Sequence, residues 1–248
     1  MDSTVSKGLN VLELLVRAAA PMRLSAVAQE LGLQKSNAHR TLATLIAGGF
    51  VVQDEETGRY RPSLKLFELG SKVVADHPAR RAAAPYMQDL HKTLGETVNL
   101  YVLDKNAVLV MEKLLSPRPL RFSSRPGSRL PIATTAAGHA MLAHEPDPAT
   151  LLRESLESTP LPPRFEIDQQ AVLASLEQVR HCGYVEAVDS WTPGIFSFAA
   201  PILREDGRAG AAIGVSGPIE RQTEANRAAI IEALLTTSAR IAENAPLL

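Results

Sequence analysis

Apolar residues recur at helical spacing along the first fifty positions, then switch to short strand-like runs. From Val5 to Ala19, Leu9, Leu12, Leu15 and Val16 share one helical face, and Pro21 ends the segment. A second short helix is expected from Ser25, a candidate N-cap, through Val27, Ala28 and Leu31 to Gly32. A third runs from Lys35 or Ser36 to Gly48-Gly49, with Ala38, Leu42, Leu45 and Ile46 as its apolar stripe. Phe50-Val51-Val52, the turn Asp54-Glu55-Glu56-Thr57-Gly58 and Arg59-Tyr60-Arg61 read as a hairpin, closed by Pro62. Residues 63–76 place Leu64, Leu66, Phe67 and Leu69 on a connecting helix, with Gly70 as a weak point.

Beyond Pro78 helices and strands alternate. A helix over 79–94 leads to strands at 97–103 and 108–115, joined by a turn at Asp104-Lys105-Asn106. A Pro/Arg/Ser-rich loop, 116–129, precedes helices near 135–143, 148–158 and 168–180. Strands follow near 184–188, 195–203 and 209–216, with a turn at Glu205-Asp206-Gly207-Arg208, and a last helix runs from its N-cap Thr223 to Glu243. Hairpin-joined strands flanked by helices favour an α+β domain over a parallel doubly wound one. The chain therefore divides into residues 1–62, a linking helix over 63–77, and a second domain over 78–248.

Composition narrows the function class. With 248 residues, 45% apolar and 21% charged, the chain can bury two cores. Its longest uncharged stretch, 130–143, falls short of the roughly 20 residues of a membrane span. Met1-Asp2-Ser3-Thr4 shows no basic run leading into an apolar core, so no signal peptide is read. A single cysteine, Cys182, excludes an internal disulfide framework and a multi-cysteine metal site. A cytoplasmic protein without cofactor is expected. The net charge of −1 hides an asymmetry: nine Lys/Arg face seven Asp/Glu in residues 1–75, and the remainder nets −3.

The third helix carries the chemistry of the first domain. With Ala38, Leu42 and Leu45 inward, Ser36, Arg40, Ala43 and Ala47 face out, flanked by Asn37, Thr44 and His39. No acid lies between Gly32 and Phe50. Arginine on guanine and asparagine on adenine are the commonest base-edge pairings, and recognition helices reach bases with their N-terminal residues. Lys35, Ser36, Asn37, His39 and Arg40 are thus candidate DNA contacts, with Arg59 and Arg61 on the hairpin where a wing touches the backbone or the minor groove, an ordinary exposed strand position being the alternative for Arg61. A protein-contact role for the same module is the alternative.

The run Gly32-Leu33-Gln34-Lys35-Ser36-Asn37-Ala38-His39-Arg40-Thr41-Leu42, followed by Gly49-Phe50-Val51, resembles the winged helix-turn-helix of the IclR (isocitrate lyase regulator) family of bacterial transcription factors. Leu130 to Ala140 is similar to the family's Ala/Thr-rich helix start. A third stretch, from Cys182-Gly183-Tyr184 through Gly194 and Ala199-Ala200-Pro201 to Val215-Ser216-Gly217-Pro218, agrees in order and spacing. The resemblance implies a winged helix-turn-helix, a linker helix and a GAF-like antiparallel-sheet domain that binds an effector. It also implies a homodimer or homotetramer on a palindromic double-stranded DNA operator, with a small organic acid as effector and no membrane association.

Read alone, Thr134-Thr135-Ala136-Ala137-Gly138 is a helix start of small residues, suited either to close packing or to an anion on free N–H groups. The resemblance assigns the effector's carboxylate to Thr135, Ala136 and Ala137, with apolar walls near Leu120, Phe122, Leu130 and Ile195. Relatives that bind small oxo-acids carry a cysteine where Ser197 stands. Their serine pair is reduced to Ser216 and Gly214, and their acid is replaced by Ala187. Two polar side chains are lost, which disfavours glyoxylate or pyruvate. With Trp191 placed either to cover a larger ligand or to pack in the core, a larger, flatter aromatic acid or its derivative is expected.

An enzyme would need other residues. Gly214-Val215-Ser216-Gly217-Pro218 lacks the last glycine of a nucleophile elbow. His181 and Cys182 are neighbours whose side chains diverge. The six histidines show no zinc spacing, and no phosphate-binding glycine loop is present. The remaining rival is a non-catalytic small-molecule sensor or scaffold acting through protein contacts.

Overall fold

The computed structural model describes residues 3–119, 125–159 and 161–244. The chain separates into two compact units, residues 1–75 and 76–248. The first holds α1 (Ser3–Arg17), α2 (Leu24–Glu30), α3 (Lys35–Ala47), β1 (Val51–Gln53), β2 (Tyr60–Pro62) and α4 (Lys65–Ala75). Val11, Leu15, Val27, Leu42, Val51 and Tyr60 form its core. Ala38 is also fully buried, whereas Ile46, expected on the inward stripe, is exposed.

Helix α1 departs further from expectation. Val11 and Leu15 face the core, with Leu12 and Leu14 packed beside them. Leu9 and Val16 lie on the outer side with Val5, each more than half exposed. The helix carries two apolar stripes, so its periodicity alone does not choose between them. Ser25 sits inside the first turn of α2, whose N-cap is Arg23 with no side-chain cap. Phe50 falls outside the hairpin ladder, which pairs Val51 with Pro62 and Gln53 with Tyr60. Its N–H instead donates to the Leu45 carbonyl at 2.9 Å, so it belongs to the end of α3.

The connecting helix starts two residues later than Ser63 because that serine serves as its anchor. Ser63 Oγ accepts from the Lys65 N–H at 3.2 Å and donates to the Gly49 carbonyl at 2.5 Å. Lys65 Nζ donates to the Gly48 carbonyl at 2.8 Å and lies 4.6 Å from the Phe50 ring centre. Gly70 does not interrupt α4. The helix buries none of its residues, and Leu64, Phe67, Leu69 and Val73 are exposed by 83, 74, 46 and 71%.

The second unit holds α5 (Pro78–Leu94), β3 (Thr97–Asp104), β4 (Ala107–Leu114), β5 (Arg129–Leu130), α6 (Ala136–Leu142), α7 (Pro148–Ser158), α8 (Gln169–Cys182), β6 (Val185–Val188), β7 (Ile195–Leu203), β8 (Ala209–Pro218) and α9 (Glu224–Glu243). Its six strands form one sheet in the order β5-β4-β3-β8-β7-β6, with every neighbouring pair antiparallel. The two-residue β5 was expected as loop; it pairs with Val108 and Leu109. Helices α5 and α9 pack together against the sheet, and α6 packs against β7 and β8, backed by α7 and α8. Tyr101, Ala199 and Ala212 share a core with Ala136, Ala137 and Ala140 of α6. Thr223 caps α9 as expected, accepting from the Asn226 N–H at 3.2 Å. No helix among the described residues is long and apolar enough to cross a membrane.

Close approach of α6 to the preceding segment rests on Gly138. A Cβ there would lie 2.2 Å from the Ile132 carbonyl oxygen and 2.6 Å from its Cα. Thr135 caps the helix by accepting from the Gly138 N–H at 3.1 Å while donating to the Pro131 carbonyl at 2.8 Å. His139 Nε2 is 2.9 Å from the Ala133 carbonyl, and burial pushes its ring below the usual imidazole range, leaving a neutral ring that donates there. Gly138→Ala must therefore displace backbone. It is expected to destabilise the C-terminal unit by about 3 kcal/mol or more in denaturant unfolding, while the melting of residues 1–75 is unchanged.

Candidate functional site

Two surfaces carry candidate chemistry. On α3, Lys35, Ser36, His39, Arg40, Ala43, Thr44 and Ala47 are exposed, and Asn37 is half-buried. Arg40 Nη2 donates to Asn37 Oδ1 at 2.6 Å, which fixes the guanidinium against the helix. The hydroxyls of Thr41 and Thr44 donate back to the Asn37 and Arg40 carbonyls, each at 3.0 Å. A groove of about 350 Å³ between α1 and α3 is lined by Thr4, Lys7, Asn37, Arg40 and Thr44 among others. Lys7 was not singled out from sequence. Its signal was its place one helical turn before the buried Val11, on the side of α1 that meets α3.

The hairpin arginines differ. Arg61 is exposed, but Arg59 is half-buried and turns its Nη1 to the Pro21 carbonyl at 3.3 Å. Asp54 fixes the acidic turn, accepting from the N–H and hydroxyl of Thr57 at 2.7 and 2.6 Å. Those bonds hold its carboxyl below the usual range.

In the second unit a cavity opens between α6 and the sheet. It is lined by Tyr101, Leu130, Thr135, Ala136, Ala137, Ser190, Trp191, Thr192, Ile195, Ser197, Phe198 and Ala199. None of these side chains is ionisable at neutral pH. The Thr135 hydroxyl is consumed by capping, while the N–H groups of Ala136 and Ala137 have no acceptor within the helix's own ladder. The enclosed volume is about 30 Å³, room for a single water. An organic ligand needs roughly ten times that, so the lining has to rearrange to admit one.

That loop carries the sole tryptophan. Asp189 and Gly194 close its base at φ 54° and 75°, with Asp189 Oδ1 accepting from the Gly194 N–H at 2.5 Å. Trp191 stacks on Phe165 with ring centres 5.3 Å apart and planes 13° apart. Arg164 lies over the Phe165 ring at 4.7 Å and donates to the Trp191 carbonyl at 2.9 Å. The segment before α8 thus latches the Trp191 loop in place.

Family models match both units: residues 4–55 match the IclR helix-turn-helix domain, and residues 71–243 match the C-terminal domain of bacterial IclR transcriptional regulators. The chain belongs to the IclR family. It is 30% identical over 233 residues to the Escherichia coli regulator XynR, covering 93% of this chain and 92% of that one. The Thermotoga maritima IclR structure is 26% identical with a TM-score of 0.77, covering 99% of this chain and 100% of that one. An IclR homologue from Microbacterium hydrocarbonoxydans, solved in complex with 4-hydroxybenzoate, is 26% identical with a TM-score of 0.79, covering 98% of each chain. The protein is therefore a transcriptional regulator with a helix-turn-helix and an IclR effector-binding domain.

The IclR positions named from sequence do not all meet in the cavity. Leu130, Thr135, Ala136, Ala137, Trp191, Ile195 and Ser197 line it; Ala187, Gly214 and Ser216 do not. Leu120 and Phe122 lie outside the described residues. Ala187, Ser197 and Ser216 occupy one row across β6, β7 and β8, but Ser216 is buried and its Oγ accepts from Asn99 Nδ2 at 3.4 Å. It also lies within β8 (Ala209–Pro218), with none of the turn geometry of a nucleophile elbow. At Gly214, where the family's serine is lost, Tyr101 takes the room: a Cβ there would be 2.9 Å from Tyr101 Cε2. Tyr101, Ser190, Thr192, Phe198 and Ala199 were not anticipated. Among the described residues no cluster of metal-ligating side chains is present.

The latch is open to a spectroscopic check, because Trp191 is the only tryptophan. Phe165→Ala is expected to red-shift its emission and raise its quenching by acrylamide, with the global unfolding midpoint little changed. Unchanged quenching would mean that Phe165 does not hold the cover.

Proposed function

We propose that α3 reads a palindromic operator through Arg40, with Asn37 acting chiefly to hold the guanidinium rather than to read adenine. The observation that carries this is the Asn37–Arg40 bond on an exposed helix face that bears no acid. A bidentate adenine contact needs both the oxygen and the nitrogen of the amide, and here the oxygen is engaged. Lys35, Ser36 and His39 supply the rest of the contact face. Lys7 and Arg61 neutralise phosphates, while Arg59 braces the hairpin against Pro21. The protein acts in the cytoplasm as a homodimer or a homotetramer.

Operator titrations by fluorescence anisotropy at fixed salt test this. Arg40→Ala is expected to cost about 1–3 kcal/mol and to relax one base position. Asn37→Ala is expected to cost less, and the double variant no more than Arg40→Ala alone. Additive losses would instead make Asn37 an independent base reader. Lys7→Ala and Arg61→Ala should weaken all sequences alike and flatten the salt dependence by about one phosphate each.

Self-association is supported by the apolar surfaces of the first unit. Val5, Leu9 and Val16 on α1, and Leu64, Phe67 and Val73 around α4, are more than half exposed, which a solitary soluble unit rarely sustains over contiguous area. Phe67→Asp is expected to shift the sedimentation coefficient toward a monomer and to lower operator affinity together with it. Loss of neither would remove α4 from the interface.

For the effector, the cavity beneath Trp191 suits a small aromatic monocarboxylate. Its carboxylate lies against Thr135, Ala136 and Ala137, between Leu130, Ile195, Trp191 and Ser197. The 4-hydroxybenzoate held by the Microbacterium hydrocarbonoxydans homologue and the uncharged, aromatic-flanked lining here support that class over a small polar oxo-acid.

A further inference from the structure

The cavity wall carries a phenol, that of Tyr101, for which the fold supplies no hydrogen-bond partner among the described residues. Tyr101 stands on β3 opposite Ala212 and is 9% exposed. Its ring leans along the inner face of the sheet until Cε2, the carbon beside the one that bears the hydroxyl, comes against Gly214 of β8. The hydroxyl end therefore reaches the β7–β8 wall, where Ala199 and Ser197 line the same cavity. No group among the described residues hydrogen-bonds the phenol. Tyrosines in largely buried sites ordinarily find a hydrogen-bond partner, and the cavity that Tyr101 lines is where one can be supplied. Burial also holds the phenol well above the usual tyrosine range, so it keeps its proton and can donate.

We propose that the Tyr101 hydroxyl is a specificity-determining group that donates a hydrogen bond to a second oxygen of the effector, a ring hydroxyl or carbonyl, on the part of the molecule away from its carboxylate. The assignment rests on reading this cavity as the organic-acid site, with the carboxylate against the opposite wall at Thr135–Ala137. Because no lining side chain is charged, the site accepts one negative charge offset by dipoles and has no counter-charge for a second. The effector class is thus a monoanionic aromatic acid with an oxygen substituent. Unsubstituted acids leave the phenol unpaired, and diacids bring an uncompensated charge.

Calorimetric titration of the full chain with 4-hydroxybenzoate, 3-hydroxybenzoate, benzoate and terephthalate tests this. The native protein should bind at least one hydroxybenzoate roughly tenfold or more tighter than benzoate, and terephthalate more weakly than either. Tyr101→Phe should reduce that preference to near unity while benzoate affinity and the melting temperature are kept. A variant that retains the preference, or loses benzoate and hydroxybenzoate equally, overturns the role of Tyr101 and leaves the organic-acid site standing. A native protein that binds these acids without discrimination does the same. Native protein that binds none of the four overturns the organic-acid reading itself, and the Tyr101 assignment with it.

Discussion

The inner face of the sheet depends on how closely the start of α6 can approach the segment before it. At Gly138 the absence of a side chain lets the Ile132 backbone come nearer than any Cβ permits. Three hydrogen bonds within nine residues then hold the approach: Thr135 to Pro131, Gly138 to Thr135, and His139 to Ala133. Close packing and the presentation of backbone N–H groups are therefore one feature. The small residues that let α6 sit low on β7 and β8 also bring Ala136 and Ala137 to the cavity wall.

A second consequence follows on the facing side. With α6 held low, a side chain from β3 has room on the inner face only where β8 offers none, and Gly214 supplies that place to Tyr101. The result is a cavity with dipoles and no charges, closed by an aromatic ring that is itself stacked on Phe165. In so little volume, a polar atom left unpaired by a ligand weighs heavily on its affinity, because at most a single water fits to satisfy it.

Legibility of these features in the sequence tracked the kind of pattern that encodes them. Helix α3 has a single apolar stripe, so its exposed face could be named residue by residue from Ala38 and Leu42. Helix α1 has two stripes and gives no such answer. Strand β3 is buried along Thr97–Val102, so Val98-Asn99-Leu100-Tyr101 lacks the alternation that would point Tyr101 toward α6. Its pairing with Ala212, which places the ring at Gly214, is a register more than one hundred residues distant. A glycine in place of serine reads only as a lost hydroxyl, and the fold shows Tyr101 filling its place. The Arg164–Phe165 latch lies in a Pro-rich loop whose sequence carries no periodic signal at all.

The small size of the closed cavity constrains how an effector can act. On the proposed reading of this cavity as the effector site, a ligand that displaces Trp191 from Phe165 offsets the lost stacking and the Arg164 bond with part of its contact energy. The ligand thereby distinguishes an open cover from a closed one, and a conformational equilibrium shifts only by such differential affinity. Regulation of about 5- to 150-fold requires no more than about 1–3 kcal/mol of coupling, comparable to one well-paired buried hydroxyl. In the first unit, Ser63 and Lys65 tie the first turn of α4 to the Gly48 and Gly49 carbonyls that terminate α3. A displacement of α4 is therefore applied to the end of α3 through short polar contacts. The exposed apolar face of α4 leaves that helix free to take its position from whatever surface covers it.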